Sequence, residues 1–258
     1  MIQEQINSLA KVAGHKILSV YHADFSVEYK NDQSPITAAD KIAHQIICAG
    51  LKLIAPNIPI LSEESAAQDI ANRLSWSRYW LVDPLDGTKE FVSRNGEFTV
   101  NIALIDHGIP IFGVVYAPVL DVIYWGSEAG AFKRQGEGEA EAIHVSPTPR
   151  QQDRWRIVAS RSHQNIATKE YLAQFAKVDL LHMGSSLKFC LIAEGKADLY
   201  PRLAPTSEWD SAAAQAVVEA AGGCVLEYPN LQPLRYNRGN TLLNPNFIVC
   251  TDTPLSWV

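Results

Sequence analysis

Apolar residues recur at three- and four-residue steps from the start of the chain. Ile2, Ile6, Leu9, Ala13, Ile17 and Val20 form one stripe, which predicts an amphipathic helix over residues 1–21. A polar N-D-Q-S-P stretch ends it. Thr37 followed by Asp40 is then a T-x-x-D start signal for a second helix, with Ile42, Ile46, Ile47, Leu51 and Ile54 as its apolar residues and Pro56 as its stop. After that the period shortens. Residues 58–61 and 79–82 are β-prone runs that each lead straight into carboxylates, and 98–105, 109–117, 119–125 and 131–133 read as strands. His107-Gly108 and Gly126-Ser127 are turn signals between them, so the pattern predicts an antiparallel meander.

The tract G-E-G-E-A-E at 136–141 reads as an exposed loop tip, and S-P-T-P-R at 146–150 as a linker, because two prolines bracket polar residues. Beyond it strand and helix alternate: strands at 156–159, 178–182, 197–200 and 224–227, helices at 165–176, 186–194 and 207–221. Alternation of this kind predicts an α/β layer. The chain is therefore expected to hold an α+β part over residues 1–146 and an α/β part over residues 147–258.

Composition narrows the class without naming a chemistry. The 258 residues carry 22 basic and 28 acidic side chains, a net charge of −6, with 47% apolar residues and only 15 Gly and 14 Pro. Enough apolar surface is present to bury a core, and the charge balance argues against a protein that coats nucleic acid. Charged and polar residues break up the amino-terminal stripe, so it does not read as a signal peptide, and no run approaches the length of a membrane span. Cys48, Cys190, Cys224 and Cys250 stand singly, as reduced core thiols of a cytoplasmic protein do.

Candidate chemistry lies where apolar strands end in acids. In Trp80-Leu-Val-Asp83-Pro-Leu85-Asp86-Gly87-Thr88 two carboxylates stand three apart across a proline and glycine turn. Such a turn can aim both acids, the Leu85 carbonyl and the Gly87 and Thr88 amides at one point where a hard cation meets a phosphate; it is equally good chemistry for an ordinary surface turn. Glu63 and Glu64 follow the first short strand and read alternatively as a solvated loop. Asp210, in Glu208-Trp-Asp210-Ser-Ala-Ala, opens an alanine-rich helix and reads alternatively as a helix cap.

In this order, the strand-terminal Glu-Glu, the W-L-V-D-P-L-D-G-T string and the distal W-D-x-A-A resemble the inositol-monophosphatase superfamily of metal-dependent, lithium-sensitive phosphatases. S-P-I-T-A-A-D (34–40), K-E-F-V-S-R-N-G-E-F-T-V-N-I-A-L-I-D-H-G (89–108), G-V-V-Y-A-P (113–118) and G-S-S-L-K-F-C-L-I-A-E-G-K-A-D-L-Y-P-R (184–202) are similar to its bacterial bisphosphate-nucleotidase branch. The resemblance runs nearly the whole chain and implies a layered αβαβα sandwich. It implies that Glu63, Asp83 and the Leu85 carbonyl hold one Mg²⁺, and Asp83, Asp86 and Asp210 a second, with two or three ions in all. It further implies that Thr88, backed by Asp40, orients the attacking water beside Glu63, and that the Gly87 and Thr88 amides face the phosphate. His163, Ser185, Lys188 and Arg202 are the implied contacts of a second phosphate, although each also reads as a surface charge, a packing residue or a helix start.

The implied substrate is adenosine 3',5'-bisphosphate, hydrolysed to AMP and phosphate, with 3'-phosphoadenylyl sulfate as a second substrate, in the clearance of by-products of sulfate assimilation. The implied partner is thus a small nucleotide, with no polymeric nucleic acid, and the implied location is the cytoplasm, a loose association with the inner membrane being the one membrane contact left open. The pattern fixes no oligomeric state. An inositol monophosphatase or sugar bisphosphatase is the rival within the enzymes, and a non-catalytic cation-dependent binding protein the rival outside them. One residue departs from the pattern: many relatives have an uncharged residue where Glu208 stands, so its charge either tightens cation binding or faces solvent.

Overall fold

The computed structural model describes residues 2–23, 26–29, 35–150, 152–159 and 165–252. Helix α1 (Ile2–Tyr21) leads to the short hairpin β1 (Val27–Tyr29) and β2 (Pro35–Thr37), then to α2 (Ala38–Ile54). The expected start signal is realised as a full capping box: Asp40 Oδ2 accepts the Thr37 amide at 2.7 Å while Thr37 Oγ1 accepts the Ala39 amide at 3.1 Å.

Seven strands follow in one sheet: β3 (Ile60–Ser62), β4 (Arg78–Asp86), β5 (Thr99–Asp106), β6 (Ile109–Ala117), β7 (Val122–Ser127), β8 (Gly130–Gln135) and β9 (Glu141–Ala142). They lie in chain order, antiparallel from β4 onward, as the meander requires. Between β3 and β4 run α3 (Ala67–Asn72) and a 3-10 turn (Arg73–Ser75), and α4 (Thr88–Val92) follows β4. The run expected at 119–125 begins only at Val122, because residues 118–121 turn, with Asp121 at φ 46° and its amide donating to the Pro118 carbonyl.

Both faces of this sheet are covered, and the period of two in β4 states how. Trp80 and Val82 join Ile6, Ala13, Ile17, Ala43 and Ile47 of α1 and α2, whereas Tyr79 and Leu81 face a second core. That second core is built on α6 (Leu187–Ala193) and α7 (Glu208–Ala220). Alanines at 212, 213, 214 and 216 let α7 lie almost on the strands. A Cβ at Gly113 or Gly126 would run into the Ala213 or Ala216 carbonyl, so each glycine marks a point where backbone meets backbone.

On the far side of α6 and α7 stands a five-stranded sheet: β10 (Trp155–Ala159), β11 (Val178–His182), β12 (Leu199–Arg202), β13 (Cys224–Glu227) and β14 (Phe247–Cys250), in the order β11-β10-β12-β14-β13. β10 is parallel to β11 and β12, and β14 is antiparallel to both its neighbours. Helix α5 (Ile166–Leu172) packs Tyr171 onto its outer face with Trp155, Ile157, Leu199 and Ile248. Two helices, a sheet, two helices, a sheet and a helix make the αβαβα sandwich that the sequence led us to expect. β14 was not foreseen.

Candidate active site

The site begins at an irregularity in β4. Asp83 pairs with Asn101 and Asp86 with Thr99, so β4 carries one more residue than β5 across this step. Such a bulge re-aims side chains, and here it brings two carboxylates that alternate poorly in a regular strand to one side. Asp83 Oδ1 accepts the Leu85 amide at 3.1 Å, which closes the turn around Pro84. Gly87 follows at φ 91°, a left-handed conformation that glycine adopts without strain, and a Cβ there would sit 3.3 Å from the Glu97 carbonyl and Ser185.

Asp210 arrives from the first turn of α7. Thr206 Oγ1 and the Ser207 amide donate to its Oδ2 at 2.5 and 2.9 Å, so it does cap the helix while its other oxygen stays available. Asp83, Asp86 and Asp210 thereby bring one oxygen each within 4.8 Å of one another. Glu63, just past β3, hydrogen-bonds Asp83. Asp83 is buried, and burial first, then the charges of Glu63, Asp86 and Asp210, push its carboxyl well above the usual carboxylate range. Burial and then Asp86 push Asp210 up to about 6, against the two donors on it and the Arg202 charge.

Acids crowded this way repel one another. The charges that press on Asp83 are those of acids, and the donor set is all oxygen, so the cluster fits a hard divalent cation. Beside it, Thr88 Oγ1 lies 3.3 Å from Asp40 Oδ1 and 3.4 Å from the Leu85 carbonyl. Asp40 spends its other oxygen on the Thr37 amide and hydroxyl, both at 2.7 Å. Burial raises its pKa, the Thr37 bonds opposing that shift.

Asp86 and Asp210 open onto a cleft of about 380 Å³. Gly87, Ser185, Lys188 and Arg202 line it too, so three of the four candidates for a second phosphate share the cleft with the acids. The fourth, His163, lies outside the described residues. Ser185 does more than line the cleft, since its hydroxyl donates to Asp86 Oδ2 at 2.6 Å. Ser186 indeed caps α6 by position, yet its side chain makes no capping bond and also turns to Asp86, at 2.8 Å. Sequence reasoning missed Lys89, Tyr200 and Phe247, which line the same cleft. Position alone could have flagged Lys89, directly after Gly87-Thr88.

Glu208 does not face solvent. It is buried, its Oε1 accepts the Asn237 amide at 2.9 Å, and Arg73 is the neighbouring charge. Arg73, also buried, reaches the Asn237 side chain at 3.2 Å and the Gly239 and Thr241 carbonyls at 2.7 and 3.1 Å. Burial, opposed by Asn237 and Arg73, pushes Glu208 up to about 7.

A strand-end acid cluster opening onto a cleft that Lys89, Lys188 and Arg202 also line, in an αβαβα sandwich, defines a class, and the comparisons with known proteins agree with it. Residues 2–254 match the model of the inositol monophosphatase family, and the chain belongs to that family. Among its relatives is the 3'(2'),5'-bisphosphate nucleotidase CysQ of Escherichia coli K12, 50% identical over 249 residues that span 95% of this chain and 98% of that protein. The crystal structure of CysQ from Bacteroides thetaiotaomicron, described as a bacterial member of the inositol monophosphatase family, superposes with a TM-score of 0.84 at 43% identity, over 96% of each chain. The inositol monophosphatase from Anabaena superposes with a TM-score of 0.74 at 25% identity, over 96% of this chain and 90% of its own. No helix among the described residues is long and apolar enough to cross a membrane.

Proposed function

We propose that this protein is a Mg²⁺-dependent 3'(2'),5'-bisphosphate nucleotidase that hydrolyses the 3'-phosphate of adenosine 3',5'-bisphosphate to AMP and phosphate, and 3'-phosphoadenylyl sulfate to adenylyl sulfate. The observation that carries this reading is one cleft with two chemistries, lined both by the acids Asp86 and Asp210 and by the cations Lys188 and Arg202, as a substrate with two phosphates requires. Half the residues of a full-length bisphosphate nucleotidase are also kept here, against a quarter for the inositol monophosphatase.

In this reading Glu63, Asp83 and the Leu85 carbonyl hold one Mg²⁺, and Asp83, Asp86 and Asp210 a second, a third ion being compatible with the same acids. When bound, the ions supply the positive charge that a dianionic ester needs before water can approach it, at both the entering and the departing oxygen. The chain does the rest. Thr88 Oγ1 orients the water by accepting a hydrogen bond from it while donating its own to Asp40 Oδ1, the one Asp40 oxygen that Thr37 leaves open. The Gly87 and Thr88 amides, at a turn with no side-chain cap, face the scissile phosphate. Lys188, Arg202 and Ser185 bind the second phosphate together with His163; residues 1–146 supply most of the metal ligands, and residues 147–258 complete the metal site and bind the nucleotide. A diffusible nucleotide substrate and cysteines free of disulfides suit a cytoplasmic enzyme.

Phosphate release from adenosine 3',5'-bisphosphate, inositol 1-phosphate and fructose 1,6-bisphosphate, each with Mg²⁺ and with EDTA, tests the proposal. Preference for the nucleotide, abolished by EDTA, is the expected result. Preference for inositol 1-phosphate makes the protein an inositol monophosphatase, and no release from any of the three makes it a binding protein.

A further inference from the structure

Ser186 sits where three parts of the site meet, and it is 1% exposed. Its hydroxyl lies 2.8 Å from Asp86 Oδ2 and 2.8 Å from the Asp210 carbonyl, and the Asn101 amide group donates to it at 2.9 Å. Asn101 is paired with Asp83 across the sheet. A hydroxyl has one proton and two lone pairs. With Asn101 donating to the oxygen, the proton is left to lie between the Asp86 carboxylate and the Asp210 carbonyl, so one small group ties both residues to β5 at the position paired with Asp83.

Asp86 reports the consequence. Its Oδ2 receives the Ser185 hydroxyl at 2.6 Å, the Ser186 amide at 2.7 Å and the Ser186 hydroxyl, with the Asn101 side chain at 3.4 Å. That oxygen is filled by protein donors, while among the described residues no hydrogen bond engages Oδ1. Ser185 is itself held at φ 52°, a costly conformation for a residue with a Cβ, and its hydroxyl is locked further by Thr99 at 2.6 Å. The strain buys nothing for α6, whose first turn Ser186 leaves without a side-chain cap.

We infer that Ser186 is a positioning residue for the acid cluster: its hydroxyl sets the distance between Asp86 and Asp210 and turns Asp86 Oδ1 toward the cation. Groups that orient metal ligands from behind typically change affinity by about 10- to 100-fold. The inference rests on the cluster being a divalent-cation site, as proposed above.

The test uses Ser186→Ala, which keeps the backbone N–H to Asp86 and removes only the hydroxyl. Mn²⁺ uptake by substrate-free protein, followed by the EPR signal of the free ion, should weaken about tenfold. The Mg²⁺ concentration for half-maximal phosphate release should rise by a like factor, with kcat returning at saturating Mg²⁺. Unchanged ion affinity overturns the inference, whether or not the melting temperature falls. If that variant fails to fold, Asn101→Ala removes the donor that fixes the hydroxyl, and unchanged Mn²⁺ uptake there overturns it equally. Wild-type protein that takes up no Mn²⁺ overturns both readings, whereas uptake without phosphate release overturns only the proposed function.

Discussion

The two walls of the cleft are built on opposite principles. The two acids that line it, Asp86 from the end of β4 and Asp210 from the start of α7, each have one oxygen tied by short bonds from the protein. The cationic wall is held more lightly: Lys188 lies over the Tyr200 ring with its ammonium 5.6 Å from the ring centre, and Arg202 donates one bond, at 2.7 Å, to the Pro205 carbonyl. Charges that must meet an ion are fixed in advance, because every degree of freedom left to them would be lost on binding. Charges that must meet a substrate keep reach.

The sharpest way to break the comparison is Asp83→Asn. Asp83 is the carboxylate shared by both proposed ion sites, and removing it should lower Mg²⁺-dependent phosphate release by roughly a thousandfold, because several kcal/mol of charge stabilisation are lost with the ions. Stability should move the other way. A buried carboxyl pressed by three other acids destabilises the metal-free fold, and a neutral amide relieves that, so the metal-free variant should melt no lower than the wild type. Near-normal activity would sink the assignment.

Acid sensitivity should divide along the same line. In the metal-free fold Asp210 keeps its proton up to about 6, while an unfolded chain releases it near 3.8. Its contribution to metal-free stability is therefore present at low pH and lost as pH rises through that window. A divalent cation demands the opposite charge state, so protons and metal compete. The rise in melting temperature on adding Mg²⁺ should be several degrees near pH 8 and should shrink toward zero near about pH 5.5. An equal rise at both pH values would remove the acids from the binding site.

Charge reversal on the lighter wall gives a smaller and more selective effect. Lys188→Glu or Arg202→Glu should raise KM for the bisphosphate roughly ten- to hundredfold, the loss of one charge-assisted contact of about 1.5–3 kcal/mol, with less effect on a monophosphate. The half-saturating Mg²⁺ concentration should hardly move. Parallel losses on both substrates would place these residues in the chemistry instead.

How much of this was legible in the sequence follows from how local each cause is. Helix α2, its Thr37–Asp40 start and the acids at the ends of β3 and β4 were readable, because capping and strand ends are written within a few residues. Strand β14 was not, since four residues too short to show a period gain their place only from β12 and β13 on either side. Ser185 and Ser186 could be read as cleft or cap, but their bonds to Asp86 span about a hundred residues of chain. The buried partners of Glu208 illustrate the same limit, for Arg73 and Asn237 come from distant segments.

Glu208 also supplies the finest test of whether the acid wall ends at Asp210. It stands two residues away on the same helix, yet its oxygen meets the Asn237 amide and its charge faces Arg73, so we expect it to anchor α7 without belonging to the ion site. Its pKa of about 7 means that burial outweighs both partners. The folded protein holds this proton where the unfolded chain, with a value near 4.5, has released it, so the contribution is lost as pH rises from about 4.5 through about 7. Glu208→Gln keeps an oxygen for the Asn237 amide and removes the ionisation. Its melting temperature relative to wild type should therefore climb by a degree or two between about pH 6 and pH 8, while its Mg²⁺ dependence stays that of the wild type. A large change in Mg²⁺ affinity would instead move Glu208 into the acid wall and erase the contrast between an anchor and a ligand on one helical turn.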